Sequence, residues 1–278
     1  MAKDDARYTG SFFNSYTNTR MKLHRHCVPL DDDPEKIAKV YGYSRALVDG
    51  IFAELERDLD EAAEQIVDAF EPRISGRLSN YTGSFVFIGD QLTSEYLSYY
   101  NMIRTVLSRC EGVSVSVAGN TGDTSNQSLQ YIYSLAVSKQ PRVTSILIGS
   151  NDIFYGRDAY HKTISSRREF HDNVDYLTKV MLHNGSKVIL HTLPPVNEEI
   201  LTKAYAHMNW GADNEEIQER NEIIRQIAKE NHCALNDIAD SLHHFNGAVN
   251  LPGNGVLLTK EAQLHIAEQF LTVLLHQL

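Results

Sequence analysis

The stretch Phe85-Val86-Phe87-Ile88-Gly89-Asp90-Gln91 decides the fold of this chain. Four apolar residues followed by a Gly-Asp turn are typical of a short buried strand and are too few for a helix. The pattern of residues 92–103 predicts a helix directly after the turn. A strand that enters a helix through a tight turn places residues 90 and 91 at the carboxyl edge of a sheet, where open α/β sheets bind their ligands.

The same alternation of strand and helix continues to the end of the chain. The apolar runs predict four further strands, at residues 113–117, 143–148, 187–191 and 233–238. The segments between and after them predict helices at about residues 125–138, 167–183, 214–231 and 259–275. Regular alternation of this kind predicts a three-layer α/β/α domain with a five-stranded parallel, flavodoxin-like sheet.

The N-terminal part of the chain predicts a helical extension. Asp33-Pro34 is a helix start, and the helical pattern runs to about Phe70, where residues 71–76 are expected to end it. An apolar seam of the heptad type is formed by Val48, Phe52, Leu55, Leu59, Ala62, Ile66 and Ala69. Two interpretations follow: the helix lies on the main domain, or residues 48–69 pair with a second copy. We expect residues 1–80 to form an arm and extension, and residues 81–278 the α/β domain.

Composition excludes several classes of protein. The formal net charge of −10 argues against nucleic acid as a partner, because phosphate binding requires a basic surface. No apolar run is long enough for a membrane span, and the first residues do not resemble a signal peptide. The scattered Cys27, Cys110 and Cys233 predict free thiols in a reducing compartment. We therefore expect a soluble cytoplasmic protein without membrane contact.

No metal or cofactor is expected. His24 and His26 superficially suggest a metal site, but further ligands at a matching spacing are not obvious nearby. An arm that packs on the domain explains the segment more simply.

Three successive predicted strands end in polar turns, at residues 89–91, 119–124 and 149–152. Each turn alone is ordinary turn chemistry. Together, in this order and at three successive strand ends, they resemble the first three sequence blocks of the SGNH (GDSL-like) hydrolases. The resemblance covers roughly residues 83–278 and implies the fold of that family.

The resemblance implies an oxyanion hole at the carboxyl edge of the sheet. Its donors would be the backbone N–H at Gln91, the backbone N–H of Gly122 and the side chain of Asn151. Asp90 would hold the first turn by accepting backbone hydrogen bonds. Donors arranged in this way can also hold a carbonyl, carboxylate or sugar oxygen, so these four residues are the predicted ligand-binding set.

The catalytic triad of the family is absent at the matching positions. Gln91 stands where the family has its nucleophilic serine, and Asn254 and Leu257 stand where it has Asp and His. An amide is no nucleophile and a leucine is no base, so we expect no serine-type esterase activity. Thr93 and Ser94 are expected to make local backbone bonds in the first turn of the helix rather than to replace the serine.

Three hypotheses for function follow. The first is a non-hydrolytic protein that binds a small carbonyl- or anion-bearing ligand, or a partner protein, through the retained donors. The second is an enzyme with different acid/base chemistry, supplied by members of the set Asp90, Asp123, Asp152, His243 and His244. The third is a scaffold that self-associates through residues 48–69.

Overall fold

The computed structural model describes residue 20 and residues 33–78, 81–158 and 160–278. Its main sheet has five parallel strands in the order β2-β1-β3-β5-β7. These strands are β1 (Gly83–Gly89), β2 (Val113–Ala118), β3 (Val143–Leu147), β5 (Lys187–His191) and β7 (Ala234–Asn236). Two further short strands, β4 (Tyr155–Gly156) and β6 (Trp210–Gly211), form a separate antiparallel pair. The predicted parallel sheet is confirmed.

Helices cover both faces of the main sheet. They are α1 (Pro34–Tyr41), α2 (Arg45–Leu78), α3 (Gln91–Ser94), α4 (Tyr99–Leu107), α5 (Ser125–Tyr131), α6 (Arg167–His183), α7 (Glu198–Ala204), α8 (Asn214–Glu230), α9 (Ile238–His243) and α10 (Lys260–Gln277). Helices α2, α4 and α10 pack together on one side, and α5, α6 and α8 form the layer on the other. The predicted three-layer α/β/α architecture is therefore confirmed. None of the described helices is long and apolar enough to cross a membrane.

The N-terminal extension differs from the prediction at two places. The single helix expected from residue 34 to residue 70 is divided at Gly42, whose φ of 68° ends α1. Helix α2 then continues through Pro72 to Leu78, where the sequence predicted an end. Proline inside a helix costs about 3 kcal/mol. Burial of Phe70, Ile74 and Leu78 in the main core offsets that cost, because each such side chain contributes about 1.5–3 kcal/mol.

The apolar seam of α2 packs mostly within the chain itself. Val48, Leu55, Ala62 and Ile66 are buried in contacts with other parts of the same chain. Three other seam residues are less covered: Phe52 and Leu59 are partly buried, and Ala69 is exposed. Self-association through residues 48–69 stays a prediction, but most of the apolar side chains on which it rests are already covered.

Two regions carry structure that the sequence pattern did not indicate. The helix predicted for residues 125–138 leaves α-helical geometry after Tyr131 and becomes a π-helix at Ile132–Ala136 and a 3-10 helix at Val137–Lys139. The polar insertion before α8 contains α7 and β6, and β6 ties it to β4 beyond the third strand end. The insertion therefore lies against the carboxyl edge of the sheet.

Candidate functional site

Three strand ends meet at the carboxyl edge of the sheet, as the sequence predicted. Strands β2, β1 and β3 are neighbours, so the turns that follow them are neighbours as well. The second turn touches the first so closely that a Cβ atom at Gly119 would lie 1.7 Å from the carbonyl oxygen of Gly89. Glycine at position 119 is therefore required for the two turns to approach.

The side chain of Gln91 occupies the point on which the predicted donors converge. Its Oε1 atom accepts hydrogen bonds from the backbone N–H of Gly122 at 3.1 Å and from Nδ2 of Asn151 at 2.8 Å. Its Nε2 atom donates to Oγ of Ser150 at 2.7 Å and to Oδ1 of Asn151 at 3.2 Å. The side chain is buried. Two of the three predicted donors thus hold an oxygen that belongs to the chain itself.

Asp90 joins the first strand end to the third. Its carboxylate accepts hydrogen bonds from the backbone N–H groups of Leu92 at 3.0 Å and Ser150 at 3.1 Å, and from Oγ of Ser150 at 2.7 Å. Burial raises the pKa of Asp90 to about 6, although these hydrogen bonds act in the opposite direction. The backbone role predicted for this residue agrees with its contacts.

Asp123 and Asp152 also bind groups of the turns. Asp123 accepts from the backbone N–H of Asn120 at 2.7 Å and from the hydroxyl of Tyr131 at 2.6 Å. Asp152 accepts from the backbone N–H of Ser125 at 2.9 Å and from its Oγ at 2.5 Å. Asp152 therefore holds the start of α5, and Asp123 ties the second turn to Tyr131 at the end of α5. Neither carboxylate is hydrogen-bonded to Gln91.

The residues before α10 form a closed turn. Oδ1 of Asn254 accepts from the backbone N–H groups of Val256 at 3.0 Å and Leu257 at 2.8 Å. Nδ2 of Asn254 donates to the hydroxyl of Tyr205 at 3.1 Å. The side chain of Leu257 is fully buried. Asn254 therefore shapes the turn, and Leu257 fills space there with hydrocarbon.

Tyr205 and Ser150 are site residues that sequence reasoning missed. Tyr205 belongs to the insertion, and its ring packs edge to face on Phe154 with the ring centroids 5.6 Å apart. Phe154 also contacts Trp210 at 6.0 Å. An aromatic cluster thus lies over the turn at Asn254. For Ser150, its place beside Asn151 in the third turn was the available signal; for Tyr205 there was none.

The two histidines considered for acid/base chemistry lie elsewhere. His243 and His244 are exposed at the end of α9, and their rings contact each other with centroids 5.2 Å apart. Helix α9 follows β7, which is separated from β1 by two strands of the sheet. The described contacts do not bring either ring to Gln91.

The hydroxyl groups of Thr93 and Ser94 follow Gln91 in α3. Oγ1 of Thr93 lies 3.4 Å from the carbonyl oxygen of Leu147 on β3, which is not the local bond that the sequence suggested. Oγ of Ser94 is buried without a hydrogen-bond partner. Among the described residues, no three His, Cys, Asp or Glu side chains are placed to hold a metal ion. His24 and His26 lie outside those residues.

A separate polar network crosses the core beneath the site. His191 on β5 is buried, with Nε2 2.7 Å from Oγ of Ser145 and Nδ1 3.1 Å from Nδ2 of Asn236. Its ring lies against those of Tyr99 and Phe270. Burial lowers the pKa of His191 to about 3. The imidazole is therefore neutral in the folded protein at physiological pH.

Comparison with known proteins agrees with this architecture. Residues 47–270 match the family model described as GDSL-like Lipase/Acylhydrolase. A search of curated protein sequences finds no match. The family match covers most of the chain and includes all the strand ends described above.

Solved structures share the fold at low sequence identity. A lipase/acylhydrolase from Enterococcus faecalis superposes with a TM-score of 0.58 and 16% identity, covering 70% of this chain and 97% of that one. The acetyl xylan esterase AlAXEase superposes with a TM-score of 0.55 and 19% identity, covering 68% of this chain and 98% of that one. LAE5, an alpha/beta hydrolase from the metagenome of Lake Arreo in Spain, superposes with a TM-score of 0.54 and 17% identity. The match covers 70% of this chain and 97% of that one. At these identities the likeness establishes the fold alone.

Proposed function

The chain belongs to the GDSL-like lipase/acylhydrolase family, and within that family we propose that it is a non-hydrolytic member whose oxyanion hole is closed by its own Gln91 side chain. In this state it does not cleave esters. A small ligand with a carbonyl or carboxylate oxygen enters the hole only when that side chain turns away.

One observation carries the proposal. The Oε1 atom of Gln91 takes the hydrogen bonds of Gly122 and Asn151, which in a family hydrolase would stabilise the developing oxyanion. A substrate oxygen would have to displace this internal oxygen and would exchange one set of hydrogen bonds for another. Because the net value of such a bond is only about 0.5–1.5 kcal/mol, the exchange gives a substrate little binding energy.

The other triad positions support the same conclusion. A nucleophile needs a base within hydrogen-bond reach and a group that orients the base. Leu257 offers no proton acceptor on its side chain, and the amide of Asn254 is used by the turn and by Tyr205. Loss of a complete triad costs about six orders of magnitude in kcat in a serine protease. Asp90 does not supply an alternative base, because its buried carboxylate is held by Leu92 and Ser150.

We expect the wild-type protein to hydrolyse p-nitrophenyl acetate no faster than its Asn151→Ala variant. The physical reason is that the donor removed by this substitution already binds Gln91 rather than a reacting oxygen. Initial rates of p-nitrophenolate release, at matched protein concentrations, measure the difference. Turnover well above the buffer rate that disappears in Asn151→Ala would overturn the proposal.

A second measurement tests the closed hole directly. Gln91→Ala should lower stability by about 1–3 kcal/mol, since it removes the acceptor of the Gly122 N–H and one of the two acceptors of Asn151 Nδ2. The other acceptor of Nδ2, the carbonyl oxygen of Asp123 at 2.8 Å, remains. Acetate should then restore part of the loss by binding those donors. A ligand present at about one hundred times its Kd adds roughly 2.7 kcal/mol, which thermal unfolding with and without acetate detects.

Gln263→Ala is the matched control for this experiment. Gln263 is another buried glutamine, but its amide binds the backbone of Leu92 and Tyr99 and the carboxylate of Glu95. It should lose stability without gaining a response to acetate. Adding Asn151→Ala to Gln91→Ala should abolish that response. Equal responses of the two alanine variants would show that acetate acts elsewhere.

A further inference from the structure

Strand β2 is an edge of the main sheet. It is the first strand in the order β2-β1-β3-β5-β7, and among the described residues β1 is the only strand that pairs with it. Ser114 is exposed, and Val113, Val115, Ser116 and Val117 are partly exposed. An edge strand presents unpaired backbone N–H and C=O groups that can pair with another strand.

The strand itself lacks the sequence features that protect an edge against pairing. Folded proteins protect edge strands with charged side chains, proline, bulges or very short strands. Residues Val113–Ala118 contain neither a charged residue nor a proline. The opposite edge of the sheet, β7, has only three residues and is protected by its shortness. The two edges are therefore different, and β2 is the one suited to pairing.

The first five of the six residues of β2 read the same in both directions. Val113-Ser114-Val115-Ser116-Val117 is a palindrome centred on Val115. If two copies of the strand pair antiparallel about that residue, each Val113 faces Val117 and each Ser114 faces Ser116. Like residues then meet across a two-fold axis, which is the self-complementary arrangement of a symmetric dimer.

We propose that β2 is a dimerisation edge, at which two copies of this chain join their five-stranded sheets into one ten-stranded sheet. The two-fold axis passes beside Val115. Two copies with a formal net charge of −10 each repel one another. Because β2 carries no charged residue, a contact at this strand adds no like-charge pair to that repulsion.

The segment that packs on β2 supplies further apolar surface. The π-helix Ile132–Ala136 contacts β2 and carries two large exposed side chains, Tyr133 at 56% exposure and Leu135 at 40%. Tyr176 on α6, whose hydroxyl is 3.1 Å from that of Tyr133, is 45% exposed. Exposed apolar side chains beside a pairing edge increase the area that a dimer buries, and stable interfaces need about 1,200–2,000 Å² in total.

A pair of charge variants tests the predicted register. Ser114→Lys with Ser116→Lys places lysine opposite lysine at both serine positions of the dimer. Ser114→Lys with Ser116→Glu places lysine opposite glutamate at both. Sedimentation velocity over a concentration series should show a wild-type dimer, association weakened about tenfold or more in the Lys/Lys protein, and recovery in the Lys/Glu protein.

The two variants share the Ser114→Lys substitution, so they control for each other, and circular dichroism checks that both are folded. Amide hydrogen exchange of residues 113–118 should also slow as the wild-type protein is concentrated, because new backbone hydrogen bonds form at that edge. A monomeric wild type, an undiminished Lys/Lys dimer or a Lys/Glu protein that stays monomeric would each overturn the proposal. An undiminished Lys/Lys dimer would redirect attention to residues 48–69.

Discussion

Replacing Glu95 by alanine should lower the free energy of unfolding by about 3–5 kcal/mol, because it removes the counter-charge of the buried Arg20. Arg20 is 1% exposed and Glu95 is 0% exposed. The carboxylate accepts from Nε of Arg20 and, at 2.7 Å, from its Nη2, and it also accepts from Nε2 of Gln263 at 3.0 Å. Urea unfolding measures the loss.

The ion pair also connects two segments that border the candidate site. Nη2 of Arg20 also donates to the carbonyl oxygen of Leu258, the residue after Leu257, at 2.9 Å. The carbonyl oxygen of Arg20 accepts from the backbone N–H of Tyr96 at 3.1 Å. One residue of the N-terminal arm thus connects the segment after the first turn with the turn before α10. Loss of the pair should loosen both sides of the site together.

An exposed ion pair of the same chemistry provides the control. Arg109 lies 2.5 Å from Glu64, but these side chains are 45% and 60% exposed. Glu64→Ala should therefore cost much less than Glu95→Ala, because solvent screens the charges. The double variant Arg20→Met with Glu95→Leu should recover much of the loss seen in Glu95→Ala, since no charge is then left buried. If Glu95→Ala costs no more than Glu64→Ala, the buried pair does not stabilise the fold.

The fold could be predicted because its signals are local. Apolar runs such as Phe85–Ile88, each followed by a turn, define strands, and the segments between them repeat at helical spacing. The end of α2 could not be predicted from local signals. Pro72 indicates a break, and the burial that overrides it depends on side chains far away in sequence, which form the core around Phe70 and Ile74.

The site could be predicted only in part, for a similar reason. The strand ends bring Gln91, Gly122 and Asn151 together as expected, because parallel strands end at one edge. The rotamer that turns the Gln91 amide into the hole depends on all three turns at once. The pairing of Arg20 with Glu95 joins residues 75 positions apart. Neither feature has a sequence motif of its own, because both depend on side-chain contacts between residues that are distant in sequence.

Acidification should destabilise the folded protein through His191. The pKa of this buried imidazole is about 3 in the folded state, against 6.5 as its ordinary value. Between these values the unfolded chain binds the proton and the folded chain does not, so stability falls as the pH falls through this window. At about 1.36 kcal/mol for each pKa unit, the whole window corresponds to about 4–5 kcal/mol. Urea unfolding at several pH values from 7 to 4 measures the slope.

Asp90 changes the pH dependence of stability in the opposite direction to His191, so variants of the two residues can be told apart. Its pKa is raised from 3.8 to about 6, so the folded chain holds the proton more tightly and stability from this group falls as the pH rises through that range. His191→Gln should therefore flatten the acid limb of the stability profile, although it costs hydrogen bonds at neutral pH. Asp90→Asn should make the same limb steeper, because it removes the opposing contribution. If the stability profiles of wild type and His191→Gln ran parallel with pH, His191 would take up its proton equally in the folded and the unfolded chain. That result would contradict a neutral imidazole buried in the folded protein.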